Sequence, residues 1–169
     1  MLQLAHMQNF LERESEWVNL ASLYMHNGLP LKAAQIVKQG MKKGIIKKDK
    51  RAYKMLAESL IHARASKEAV EPLRTAAKME KKGDLYVQLA QLHVGMEQWT
   101  KAIQALNLAL KKGKLTNPGS TYLLMGMCKN NLNQYRGAIS AFNMAKKHKQ
   151  TQDSAKQWIN IVKMKMRGG

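Results

Sequence analysis

Residues 86–110 read YVQLAQLHVGMEQWTKAIQALNLAL. Apolar residues recur every three or four positions as far as Val94, Gly95-Met96-Glu97-Gln98 interrupts, and the rhythm restarts at Trp99. That period marks an amphipathic helix. The stretch is therefore one flawed helix or two helices folded back on each other. The rest of the chain decides, because something close to this stretch occurs four times.

The repeating element is aromatic, two residues, large apolar, small. It appears as Trp17-x-x-Leu20-Ala21, Tyr53-x-x-Leu56-Ala57, Tyr86-x-x-Leu89-Ala90 and Tyr122-x-x-Met125-Gly126. Twelve residues after each small residue comes Ala33, Ala69, Ala102 or Ala138. Four further on stands Val37, Leu73, Leu106 or Phe142, and three beyond that Gly40, Ala76, Ala109 or Ala145. The units are spaced by 36, 33 and 36 residues. In a helix, positions i, i+3 and i+4 share one stripe, as do i, i+4 and i+7. Each unit is thus two facing helices, and the small residues let them approach closely. The breaks fall at His26-Asn27-Gly28, Ala63-Arg64-Ala65-Ser66, Gly95-Met96-Glu97-Gln98 and residues 130–134. The opening stretch is two helices with its turn at Gly95.

This pattern resembles the tetratricopeptide repeat, a helix-turn-helix unit of about 34 residues with W-x₂-L-G near its start and later Ala, Phe and Ala positions. The resemblance covers residues 14 to 148. The final proline of the consensus is missing from each unit, and Lys and Gly stand in the joints (MKKGIIKKDK, MEKKGD, LKKGKLTNPG). It implies an all-α fold, a right-handed α-α superhelix with a C-terminal capping helix. The expected organisation is one repeat domain over 1–169. Residues 1–13 form the second helix of a truncated repeat. Repeats follow at 14–49, 50–82, 83–118 and 119–150, and a cap at 151–167. Asp153 is the expected N-cap of the last helix, with Trp158, Ile159 and Val162 on its buried face.

A narrower resemblance lies in LASLYMHNGLPLKAAQIVKQGMKKGII, in GDLYVQLAQLHVGMEQWTKAIQALNLALKKGKLTNPGSTYLLMGMCKNNLNQYRGAISAF and in SAKQWINIV. These segments are similar to the C-terminal region of tetratricopeptide proteins encoded beside TonB–ExbB–ExbD systems in gamma-proteobacteria. That resemblance implies a periplasmic accessory protein of TonB-dependent iron uptake, with a signal peptide and earlier repeats outside this sequence. It implies a TonB-complex component as a partner. A cytoplasmic scaffold or co-chaperone of the same fold is the first alternative.

Composition sets further bounds. The 169 residues carry 29 Lys and Arg against 11 Asp and Glu, a net charge of +18. Such a surplus suits an anionic partner or surface. Residues 98–152 contain no acid. Lysines gather where second helices end: Lys42, Lys43, Lys81, Lys82, Lys111, Lys112, Lys146 and Lys147. Cations there complement the helix dipole, and stacked units would align them into a basic edge. A nucleic-acid-associated protein is therefore the second alternative. It is the weaker one, because aromatics make up 6% of the chain and the signature aromatics are committed to packing, leaving no stacking platform. No apolar run approaches the ~20 residues of a membrane span.

No catalytic constellation is legible. The single cysteine, Cys128, lies mid-helix without a positioned base and reads as core. The five histidines show no zinc-helix spacing, and His93 reads as a satisfied packing residue. The twelve methionines are spread at helical spacing and read as core filling. No enzyme, metal or cofactor is expected. The resemblance implies instead a partner-binding concave groove lined by first helices. By position, that groove carries Val18, Ser22, Met25, Lys54, Glu58, Ile61, Val87, Gln91, Val94, Leu123, Met127 and Asn130. It is mixed and rather apolar, and suits a protein or peptide segment anchored by apolar side chains. The N-terminal face near Leu4 and Phe10 offers a route to self-association.

Overall fold

The structure, a computed structural model, describes residues 11–167. Nine α-helices occur among them, with no strand. They are α1 Glu14–His26, α2 Pro30–Lys42, α3 Lys50–His62, α4 Ser66–Met79, α5 Asp84–Gly95, α6 Trp99–Lys112, α7 Pro118–Asn131, α8 Tyr135–Lys146 and α9 Gln152–Arg167. A 3₁₀ turn, Lys149–Thr151, precedes α9. The all-α repeat reading holds. The break in the opening stretch is real: α5 ends at Gly95 and α6 begins at Trp99. The second-helix reading of residues 1–13 lies largely outside the described residues.

Local chemistry starts and stops these helices. Asp49 caps α3 by accepting from the Ala52 N–H at 2.9 Å, and Asn117 accepts from the Ser120 N–H ahead of α7. Pro30 and Pro118 open α2 and α7, where a missing N–H has no cost. Each helix pair is joined by three residues: 27–29, 63–65, 96–98 and 132–134. The middle residue of every turn is left-handed: Gly28 (φ 69°), Arg64 (58°), Glu97 (56°) and Asn133 (56°). The last turn residue donates its N–H five residues back, Leu29 to Tyr24 O, Ala65 to Leu60 O, Gln98 to His93 O and Gln134 to Lys129 O, at 2.8–2.9 Å. One turn geometry is thus used four times, and only once does glycine supply it. A left-handed residue with a Cβ costs about 1–2 kcal/mol, which the surrounding helix pairs absorb.

The chain forms two compact units, Met1–Glu80 and Lys81–Gly169. In the first, α1 packs on α2, α2 on α3, and α3 on α4. Trp17, Leu20, Ala21, Ala33, Val37, Met41, Ile46 and Leu56 form its core with Leu11. The Trp17 indole N–H donates to Leu11 O at 3.1 Å. In the second, α5 through α9 pack each on the next. The small signature residue does its expected work there: a Cβ on Gly126 would come within 2.6 Å of Phe142 Cδ1. Cys128 is buried, and burial pushes its thiol pKa up to about 11.

The cap differs in one respect from the sequence expectation. Asp153 lies inside the first turn of α9 and pairs with Lys156 at 3.1 Å. The helix is entered through the 3₁₀ turn, where buried Thr151 donates its hydroxyl to Ala145 O at 2.7 Å. Ala155, Ile159 and Val162 are the buried face. Trp158 is half-buried and stacks on Phe142, with ring centroids 5.7 Å apart.

Candidate functional site

In the first unit the expected partner-facing positions fall on α1 and α3. Val18 and Met25 are half-buried and rest against the core, while Ser22, Lys54, Glu58 and Ile61 are exposed. Two polar groups are already engaged locally. The Ser22 hydroxyl donates to Val18 O at 2.9 Å, and Lys54 pairs with Glu58 at 3.6 Å, one helical turn away. An exposed pair of that kind contributes under about 1 kcal/mol, so it can open toward a partner at little cost.

In the second unit the positions fall on α5 and α7. Val87 and Val94 stand half-buried on α5, with Gln91 exposed between them. The other side of that helix buries Leu85, Tyr86, Leu89, Ala90 and His93. His93 is held as the sequence suggested, its ring Nδ1 2.9 Å from Gln98 Oε1. On α7, Leu123 and Met127 are half-buried against the core that holds Phe142 and Val162. Asn130 departs from its neighbours. It is only 6% exposed, and its Oδ1 has no hydrogen-bond partner. A residue so covered is not a contact surface as it stands.

The lysines also divide. Lys42, Lys111, Lys146 and Lys147 are exposed at or just beyond helix C-termini, and Lys82 is exposed in the joint between α4 and α5. Lys43 and Lys112 instead lie over the rings of Trp17 and Tyr86, each with Nζ 5.3 Å from the ring centroid. Part of their charge is therefore spent on holding a helix pair together. The charge is uneven along the chain. The segment from Lys81 onward has fifteen Lys and Arg against three Asp and Glu.

Among the described residues, no cluster of three or more His, Cys, Asp or Glu could hold a metal ion. No helix among them is long and apolar enough to cross a membrane.

No protein-family model and no curated protein sequence matches the chain. Solved structures do match. The crystal structure of YrrB, described as a tetratricopeptide protein with an unusual peptide-binding site, is 19% identical. It matches 98% of this chain and 84% of that one with a TM-score of 0.71. A crystal structure of MamA is also 19% identical, over 90% of this chain and 86% of that one, with a TM-score of 0.69. PilF of Pseudomonas aeruginosa is 15% identical, over 92% and 69%, with a TM-score of 0.66. At these identities the likeness is one of fold, and what this chain is similar to is the all-α superhelical repeat that these proteins share.

Proposed function

We propose that the chain is a non-enzymatic protein-interaction scaffold that receives a peptide segment on its first-helix faces. The carrying observation is Val87 and Val94 on α5, i and i+7 on one stripe, left half-exposed while the opposite side of the same helix is closed. Leu123 and Met127 repeat this on α7, and Val18 and Met25 on α1. An apolar stripe with polar neighbours is what an extended or helical segment needs for anchoring. The peptide-binding description of YrrB, a protein of the same fold, supports the reading.

The finer placement, a periplasmic accessory of a TonB-dependent uptake system contacting a TonB-complex component, is supported by the sequence segments quoted above. A basic edge at Lys82, Lys111, Lys146 and Lys147 would orient the chain on an anionic partner or surface. The charge of the second unit favours that auxiliary role, and binding through it would fade with salt.

The test is capture from membrane and periplasmic extract of a bacterium carrying a TonB-type system, at low and at physiological salt. The control is the double variant Val87→Glu/Leu123→Glu. Capture of an inner-membrane or TonB-complex protein at both salts, lost in the variant, supports the scaffold. Retention of nucleic acid or anionic polymer alone, only at low salt and equally by the variant, overturns it.

A further inference from the structure

The turns at residues 27–29 and 63–65 share one geometry but not one chemistry. Leu29 closes the first of them, and Leu31 is the second residue of α2. In the later repeats the place of Leu29 is taken by Ala65, Gln98 and Gln134, and that of Leu31 by Lys67, Thr100 and Arg136. The fold therefore asks for no large apolar side chain at either place. Both leucines nevertheless stand in solvent, 40 and 56% exposed. With α2 packed on α3, the two turns come together. Residues 28–32 and 62–64 line an open pocket of about 450 Å³, a size within the roughly 300–1,000 Å³ of ligand pockets. Leu29, Pro30 and Leu31 form its apolar side, and Lys32, His62 and Arg64 its polar side. Lys32 Nζ is 5.8 Å from the centroid of the Tyr24 ring, which restrains that cation. Arg64 is exposed at the left-handed centre of its turn. Among the described residues no carboxylate lines the pocket. The acids next along the chain, Glu58 and Glu68, stand outside the lining, and Glu58 is paired with Lys54 at 3.6 Å.

We propose that this pocket docks an acidic segment of a partner protein, seating one apolar side chain against Leu29, Pro30 and Leu31 with carboxylates beside it facing Lys32 and Arg64. The apolar side sets the anchor, since covering the two exposed leucines is the hydrophobic gain on offer. The cations set the flanks, because carboxylates there meet opposite charge while basic neighbours are repelled. His62 adds a ring nitrogen able to donate to the same oxygens. The phosphates of a nucleic acid match the cations but leave the leucines uncovered. Adsorption to an anionic membrane draws on clusters of about 4–8 Lys and Arg, and this pocket brings only Lys32 and Arg64. None of the lining residues is among the twelve first-helix positions considered above, so failure here leaves the groove reading standing.

The test titrates the isotope-labelled whole chain with a short peptide, its two ends blocked, that carries one central Leu between pairs of Glu. Backbone amide shifts in NMR give both the site and the affinity. A second peptide has Gln for every Glu. The variants borrow residues that other repeats already hold at the same places, so the turns keep their fold: Leu29→Gln/Leu31→Thr for the apolar side, and Lys32→Glu/Arg64→Asn for the cations. Val87→Glu/Leu123→Glu serves as control. The expected result is saturable shifts centred on residues 28–32 and 62–64. Affinity should fall about tenfold for the Gln peptide and about tenfold for each pocket variant, with no change in the control. Equal binding of the two peptides, indifference to either pocket variant, shifts centred elsewhere, or no binding would overturn the proposal. So would two rival results in place of peptide binding, each abolished by Leu29→Gln/Leu31→Thr: co-sedimentation with phosphatidylcholine–phosphatidylserine vesicles, and concentration-dependent self-association seen by light scattering.

Discussion

Lys43 Nζ lies 5.3 Å from the centroid of the Trp17 ring, and 26 residues separate the two. Lys112 stands in the same relation to Tyr86, at the same distance and the same separation. In the fourth repeat that separation leads from Tyr122 to His148, whose rings stack with centroids 6.4 Å apart. A residue at or just beyond the end of the second helix thus closes over the signature aromatic of the first. We expect Lys112→Met, which keeps the stem and removes the charge, to cost about 0.5–1 kcal/mol. A cycle with Tyr86→Leu in urea isolates the pair. A coupling energy indistinguishable from zero would show that the lysine merely lies there.

Gly126 is expected to tolerate no side chain. Gly126→Ala would push a methyl into the Phe142 ring and cost about 1–3 kcal/mol through overpacking. Ala90 already carries a methyl at the equivalent place in the third repeat and remains fully buried. Denaturant midpoints for Gly126→Ala and for Gly126→Ala/Phe142→Leu check this. Relief in the double variant is the expected outcome, and equal losses in both would contradict the steric account.

Glu97 holds a left-handed backbone at φ 56° where the first repeat uses Gly28. Glu97→Gly should relieve about 1–2 kcal/mol of strain and lose about 0.5–1 kcal/mol to the greater freedom of the unfolded chain. A net gain below about 1.5 kcal/mol is expected, read as a rise in thermal midpoint. A fall would mean that the Glu97 side chain does something the backbone angle does not reveal.

The acid limb of stability should depend on Glu16. The Arg13 backbone N–H, above all, holds its carboxyl pKa below the ordinary value, together with the Arg13 side chain and the Glu12 N–H. A carboxyl depressed in the folded state stabilises above its unfolded pKa. That contribution is lost as pH falls through the folded value. Glu16→Gln should therefore flatten the loss of stability on acidification and change nothing of its slope near neutrality. Parallel acid titrations of both proteins decide.

Cys128, with a thiol near pKa 11, presents about one thiolate in a thousand at pH 8. Alkylation of the native chain should be slow and rise steeply in denaturant, which makes the thiol a reporter of opening between α7 and α8. Labelling at the rate of a free thiol would contradict its burial.

The helix pairs were legible because the four repeats place apolar and small residues at identical spacings, and packing admits few other arrangements. The turns were legible through Gly28 and Gly95, although the residues that go left-handed include Arg64 and Glu97, which no propensity would select. Asp153 has the composition of a cap, but buried Thr151 takes the entry to α9 by reaching Ala145 O. Position in the repeat puts Asn130 on an open face. It is buried, and in the same repeat α8 folds back immediately after it. From their place at helix ends, Lys43 and Lys112 read as partners of the helix dipoles. Their shared offset from Trp17 and Tyr86 was present in the sequence, but a cation over a ring leaves no hydrophobic period to reveal it.

The left-handed turns have a consequence for how the chain comes apart. Each is closed by the amide of its last residue reaching five residues back, entirely within one helix pair. The latches at Trp17, Tyr86 and Tyr122 are equally local. A pair can therefore shed its neighbour and stay shut. Under a pulling force or slow hydrogen exchange, the molecule should yield in increments of one repeat, like links parting, before any single link opens.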